Sequence, residues 1–279
     1  MAGAIVGLVL IMGFASVIGM SVGVAILFFL IYFAISFAVT RMRAELGPPA
    51  HDLHDAGPGR MMTSSVGTAA LGPHNLSMFA LFYWMNRAYR SHPMPHQIEG
   101  FKIGERAALN SRSLVWAMML AALVGAVAGM WSMLHIGYHY GMQSGRVLGP
   151  GIIFGWEPYH RLASQLQLPT NPRFGATVAM GIGVGFTLLM LFMRTRFLGW
   201  PFHPVGYAVS SSWSMCLLWM PLFIAWLVKL VVLRFGGLRL YRQALPLFLG
   251  LILGEHVVGS IWSLIGIFAG FKTYVFWPY

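Results

Sequence analysis

Between Met1 and Thr40 the sequence holds no Asp, Glu, Lys, Arg or His. Charge is scarce along the rest too, at 9% of residues against 58% hydrophobic and a mean hydropathy of +0.71. A soluble surface needs about 25% charged residues, so a water-soluble domain is excluded. The single cysteine, Cys216, excludes an internal disulfide and any cysteine-rich metal site. There is no phosphate-binding glycine loop, no HExxH helix, no haem attachment motif and no Gly-x-Ser-x-Gly elbow. An ATP-driven pump, a membrane protease and a membrane cytochrome are therefore set aside, and neither an enzyme nor a cofactor is expected. The net charge of +11 comes without a basic stripe interleaved with aromatics, so nucleic acid is not an expected partner.

What is present is a series of long apolar runs with basic residues at their ends. The first run stops at Arg41-Met42-Arg43. A bilayer core takes about 20 apolar residues per helix, so this run reads as a hairpin turning near Gly19-Met20-Ser21. No basic residue precedes it and no small-residue cleavage site follows, which separates it from a cleaved signal peptide. The expected fold is all-α, a single polytopic transmembrane bundle over 1–279. Its seven membrane-inserting segments are at about 1–18, 20–40, 65–87, 114–137, 175–194, 205–233 and 245–269.

Basic residues orient these segments. If 65–87 crosses fully, seven basic residues lie outside against six inside. If it dips in and returns, the inner side collects ten, against Arg146, Arg161 and Arg173 outside, which is the better count. Gly72-Pro73-His74-Asn75 interrupts this segment, and broken backbone at membrane depth must be buried in protein or line a cavity. The segment at 205–233 is similarly introduced by Gly199-Trp200-Pro201-Phe202-His203-Pro204. Paired interruptions point to a transporter binding site, while two ordinary kinked helices are the plainer reading.

Four groups of polar residues are candidates for chemistry. Glu255-His256 stands in Leu247–Ile267, a stretch with no other ionisable residue. A carboxylate at that depth marks a proton or ion path or pairs with a cation from another segment. The polar stretch after Arg87 holds His96, Glu99, Lys102, Glu105 and Arg106, expected to form a gate or a connector lying on the membrane surface. His51, Asp52, His54 and Asp55 resemble metal ligands, yet sit in a Gly/Pro-rich loop where a solvated connector with Asx turns is the favoured explanation, so no metal is assigned. His135 and His139 share a helix face without a third ligand, as an interfacial belt position would.

The texts Thr40-Arg-Met-Arg-Ala-Glu-Leu-Gly-Pro-Pro49, Asn86-Arg-Ala-Tyr-Arg-Ser-His-Pro-Met-Pro-His-Gln97 and Gly250-Leu-Ile-Leu-Gly-Glu-His256 carry a resemblance over nearly the whole chain. It resembles the C-terminal half of a family of large, uncharacterised bacterial polytopic membrane proteins, distantly similar to oligopeptide transporters. Gly100-Phe-Lys-Ile-Gly-Glu-Arg106 is similar to the Lys-Ile-Pro-Pro-Arg neighbourhood of those carriers, with Lys102, Ile103 and Arg106 in place, both prolines missing and the Asn-Pro-Gly motif absent. The resemblance implies a secondary transporter of the bacterial inner membrane, proton-coupled, moving a small polar, peptide-like or chelate-like solute. In that reading Glu255 takes the proton, and His256, His74, Asn75 and His203 form the cavity. His96, Glu99, Lys102, Glu105 and Arg106 gate it. The carriers join two inverted halves, so a chain of 279 residues implies a homodimer, a second membrane subunit or a piece of a longer protein. A non-catalytic subunit of a larger complex is the alternative, and a lipid-acting membrane enzyme the third.

Overall fold

The computed structural model describes residues 2–47, 53, 56–89, 92–142, 150–210, 212–271 and 273. Every regular element among them is an α-helix. The chain divides into two units, Met1–Cys216 and Leu217–Tyr279.

The first unit is built on the hairpin of α1 (Ala2–Val17) and α2 (Val22–Leu46). Gly19, at φ 111°, makes the turn in a backbone region that side chains avoid. α2 ends on Gly47 in the left-handed conformation, whose N–H returns to the Arg43 carbonyl. Its buried residues, Ala25, Phe28, Phe29, Ser36, Val39, Thr40 and Met42, follow helical spacing and form one stripe. The Ser36 and Thr40 hydroxyls stay satisfied in this apolar setting by donating to the Tyr32 and Ser36 carbonyls at 2.8 and 2.7 Å.

Against that stripe lie α3 (Pro58–Val66), α4 (Thr68–Leu81) and the short α5 (Tyr83–Asn86). Phe28 stacks on Phe79 at 5.4 Å, and Phe29 meets Phe82 edge-on at 5.7 Å. Such pairs add about 0.5–1.5 kcal/mol each beyond burial. The interruption expected at Gly72–Asn75 is present as a break within α4, where Gly72 has φ 75° and ψ 163°.

Successive contacts set the direction of the chain after the break. Asn75 binds Ser21, Phe79 and Phe82 meet Phe28 and Phe29, Tyr89 stacks on Tyr32, and Glu99 binds Arg43. Residues 75–99 thus run beside 21–43 in the same sense. α3 lies antiparallel to α4, since Gly57 faces Asn86 and Gly59 faces Phe79.

α6 (Pro93–Arg106) leads into α7 (Ser111–Tyr140), whose first turn is capped by Asn110 accepting from the Arg112 N–H at 2.9 Å. No residue of α7 is buried, as suits a helix facing lipid. α8 (Pro150–Gln167) packs on α4, and α9 (Phe174–Arg196) and α10 (Pro204–Val209) complete the unit. α8 runs antiparallel to α4, with Thr170 just beyond its end donating its N–H to the Thr68 hydroxyl and Glu157 near its start binding Arg87.

α11 (Trp213–Ala269) passes into the second unit, and its 57 residues would span about 85 Å if straight, against about 30 Å of bilayer core. It breaks at Gly237, at φ 59° and ψ −165°, amid Lys229, Arg234, Arg239 and Arg242. A Cβ on the preceding Gly236 would meet the Leu240 side chain at 2.2 Å, so both glycines are required there.

Four helices among the described residues are long and apolar enough to cross a membrane: α2, α7, α9 and α11. The first expected segment forms α1, a shorter apolar helix; the segment 65–87 is divided among α3, α4 and α5; and 205–233 is divided between α10 and α11.

Candidate functional site

Asn75 was expected in a polar cavity. Its side-chain oxygen instead accepts from the Ser21 N–H at 2.9 Å and from the Ser21 hydroxyl at 3.2 Å, while its amide donates to the Leu71 carbonyl at 2.8 Å. One side chain therefore caps α2 from a neighbouring helix and satisfies a carbonyl beside the Gly72 break. Asn75→Ala is expected to lower stability by about 1–2 kcal/mol, measured as a fall in thermal midpoint in detergent. His74, next to it, is exposed.

His203 lies at the other end of α2. Its Nδ1 accepts from the Val205 N–H at 3.1 Å, while Nε2 faces Arg194 and stands 3.9 Å from Glu45, which itself binds Arg41 at 2.7 Å. Burial, and then the Arg194 guanidinium, push the His203 pKa down, and Glu45 opposes them. The length of α2 separates His74 and Asn75 from His203, so the three do not share a cavity.

His92 plays the same part as His203. Each imidazole caps the helix that starts at the following proline, α6 at Pro93 and α10 at Pro204, by accepting an N–H two residues on. Proline suits the first helical position because its missing N–H has no partner there anyway. His-Pro was thus a legible signal for a helix start in both places.

The gate candidates divide into three. Glu99 binds Arg43 at 2.5 Å and ties α6 to the end of α2. Lys102 and Glu105 form an exposed pair at 2.7 Å on α6, and the Lys102 ammonium holds the Glu105 carboxyl below its usual range. Arg106 and His96 are exposed on the same helix. Glu255 and His256 lie on the exposed surface of α11, with His256 Nδ1 donating to the Ile252 carbonyl at 2.8 Å. His51, Asp52, His54 and Asp55 lie outside the described residues, and no group of three or more metal-binding side chains occurs among those described. His135 and His139 stack at 5.8 Å on the face that carries Trp131.

A further charged cluster, more buried than the others described above, joins residues that the sequence does not mark as candidates. Arg87 Nε holds one carboxylate oxygen of Glu157 at 3.1 Å, and Arg161 Nη2 holds the other at 2.9 Å. The three side chains are only 14%, 29% and 22% exposed for Arg87, Arg161 and Glu157 respectively. Tyr83 packs its ring under the Arg161 guanidinium at 5.2 Å. A cavity of about 40 Å³ opens beside them, lined by Arg60, Thr63, Tyr83, Asn86, Arg87 and Arg161 among others. The Tyr83 hydroxyl is buried and forms no hydrogen bond of good geometry. It stands near Glu157 without meeting hydrogen-bond geometry.

The basic-residue count places Arg87 and Arg161 in loops on opposite sides of the membrane. The structure puts them in one cluster, level with the middle of α2, because Tyr89, two residues after Arg87, stacks on Tyr32 at 5.9 Å. The available signal is the Glu157/Arg161 spacing of four, which puts both on one helix face.

An all-helical chain with four helices able to cross a bilayer, and a salt-bridged cluster in its interior, fits the class of α-helical integral membrane proteins. Within that class the chain belongs to a family of unknown function (DUF6785), whose model matches residues 1–278. It matches no curated protein and no solved structure.

Proposed function

We propose that this protein is a secondary transporter, proton-coupled, that moves a small polar solute through the first unit. The observation carrying this reading is the cavity beside Arg87, Glu157 and Arg161, which lies between the broken α4 with its α3 partner and the antiparallel α8. Ionisable groups at the depth of a membrane helix are costly and are retained where a solute or ion passes. Irregular helices around such a cluster are the usual construction of a solute site. α3 and α4 meet at Gly67 as an antiparallel pair, and α8 runs antiparallel to α4 beside them. Glu255 remains the proton-coupling group in this reading. The cavity assigned to His74, Asn75 and His203 is replaced by the arginine cluster.

The test is flux. Full-length protein reconstituted in liposomes loaded with a pH-sensitive dye is expected to acidify the lumen when a transported solute is added outside. A panel of amino acids, dipeptides, organic acids and metal chelates that leaves the dye unchanged, and shows no counterflow of labelled solute, refutes transport.

A further inference from the structure

We infer that the solute bound at this site is a small organic anion, seated through a carboxylate, and that Glu157 is the internal ligand it displaces. The inference rests on the transport reading for its physiological sense but on separate geometry for its chemistry. Arg87 and Arg161 each hold a different oxygen of one carboxylate, at 3.1 and 2.9 Å. Two guanidiniums converging on the two oxygens of a carboxyl group form a carboxylate receptor, because their planar N–H forks match its lone pairs. In this conformation the receptor is filled from within by Glu157.

A second observation concerns the space beside it. The cavity holds about 40 Å³, room for roughly three water molecules and so for a carboxyl head rather than a whole peptide. Its wall includes a third guanidinium, Arg60, and the amide-bearing Asn86 and Gln165. The Tyr83 hydroxyl is buried at this wall near Glu157 without a well-formed hydrogen bond, and it is a donor placed beside the two arginines. An entering carboxylate would take the Arg87 and Arg161 contacts from Glu157 and accept from Tyr83 as well. That donor set favours an anion over a neutral or cationic solute, since a cation would face the guanidiniums and leave the hydroxyl idle.

The measurement is thermal unfolding and tryptophan-fluorescence titration of the full chain in nanodiscs of neutral lipid. The probes are succinate, inorganic phosphate, mannitol and putrescine. Succinate is expected to raise the midpoint, and Arg161→Gln to remove the effect. Glu157→Gln is expected to tighten succinate binding by about tenfold, because an internal competitor reduces the fraction of receptor open to ligand. Tyr83→Phe, which keeps the fold's packing, is expected to weaken it and serves if Arg161→Gln does not fold. The inference is overturned if mannitol or putrescine acts as succinate does, or if the succinate shift survives Arg161→Gln or Tyr83→Phe unchanged. It is also overturned if phosphate or nanodiscs of phosphatidylglycerol reproduce the shift, which would mean phosphoryl or lipid-headgroup chemistry. Succinate binding without flux of any solute refutes transport and leaves the anion site standing; flux of a neutral or cationic solute without anion binding does the reverse.

Discussion

Gly67→Ala is expected to destabilise the first unit by about 2–4 kcal/mol, by adding a steric clash to backbone strain. Gly67 sits at φ 86° and ψ 152°, a region open essentially to glycine alone. A Cβ there would stand 2.7 Å from the Thr170 carbonyl and 2.8 Å from the Pro172 nitrogen, both backbone atoms with no rotamer to change. The damage would spread to the junction the turn makes: the Ala69 N–H to the Thr170 carbonyl at 3.2 Å, the Thr170 N–H to the Thr68 hydroxyl at 2.7 Å, and the Arg173 N–H to the Ser64 carbonyl at 2.8 Å. Gly72→Ala is the control. Gly72 has a similar conformation, at φ 75° and ψ 163°, but no atom lies within 4 Å of its would-be Cβ. It isolates the strain, about 1–3 kcal/mol. Thermal midpoints in detergent that fall equally in the two variants would show that the contact with 170–172 contributes nothing.

Glu255→Gln is expected to bring proton-driven uptake to background while leaving expression and folding at the parental level. Gln keeps the size and the hydrogen-bonding reach of Glu but cannot take or release a proton. Glu255 lies in Leu247–Ile267, where only His256 is otherwise ionisable, and both are exposed on α11. A carboxylate in that setting is costly unless it titrates or meets a partner, so its retention needs a use. Solute counterflow, which needs no net proton movement, should persist in the variant. Loss of expression, or loss of counterflow together with uptake, would instead assign Glu255 to packing and favour the accessory-subunit alternative.

The arginine cluster shows where reading along the chain stops. Glu157/Arg161 is visible as a helical pair, but Arg87 is 70 residues away in sequence and reaches Glu157 only because α8 packs on α4. From sequence, Arg87 is one basic residue among several following an apolar run, and the positive-inside count absorbs it. Asn75 failed in the opposite way. Its place in a broken helix was legible, but its partner, Ser21, lies 54 residues earlier, and the hydrogen bonds to it turn a cavity candidate into a helix cap.

The helical membrane character, the hairpin at Gly19–Ser21 and the break at Gly72 were legible along the chain alone. Hydropathy, helical period and backbone freedom are local properties, set by neighbouring residues. Which charges meet was settled by helix packing. It separated His203 from Asn75 by the length of α2, and brought Arg87, Glu157 and Arg161 around one carboxyl-sized space. Salt-bridge partners depend on helix packing, which side chains from distant segments determine jointly, and no spacing within a single segment encodes them.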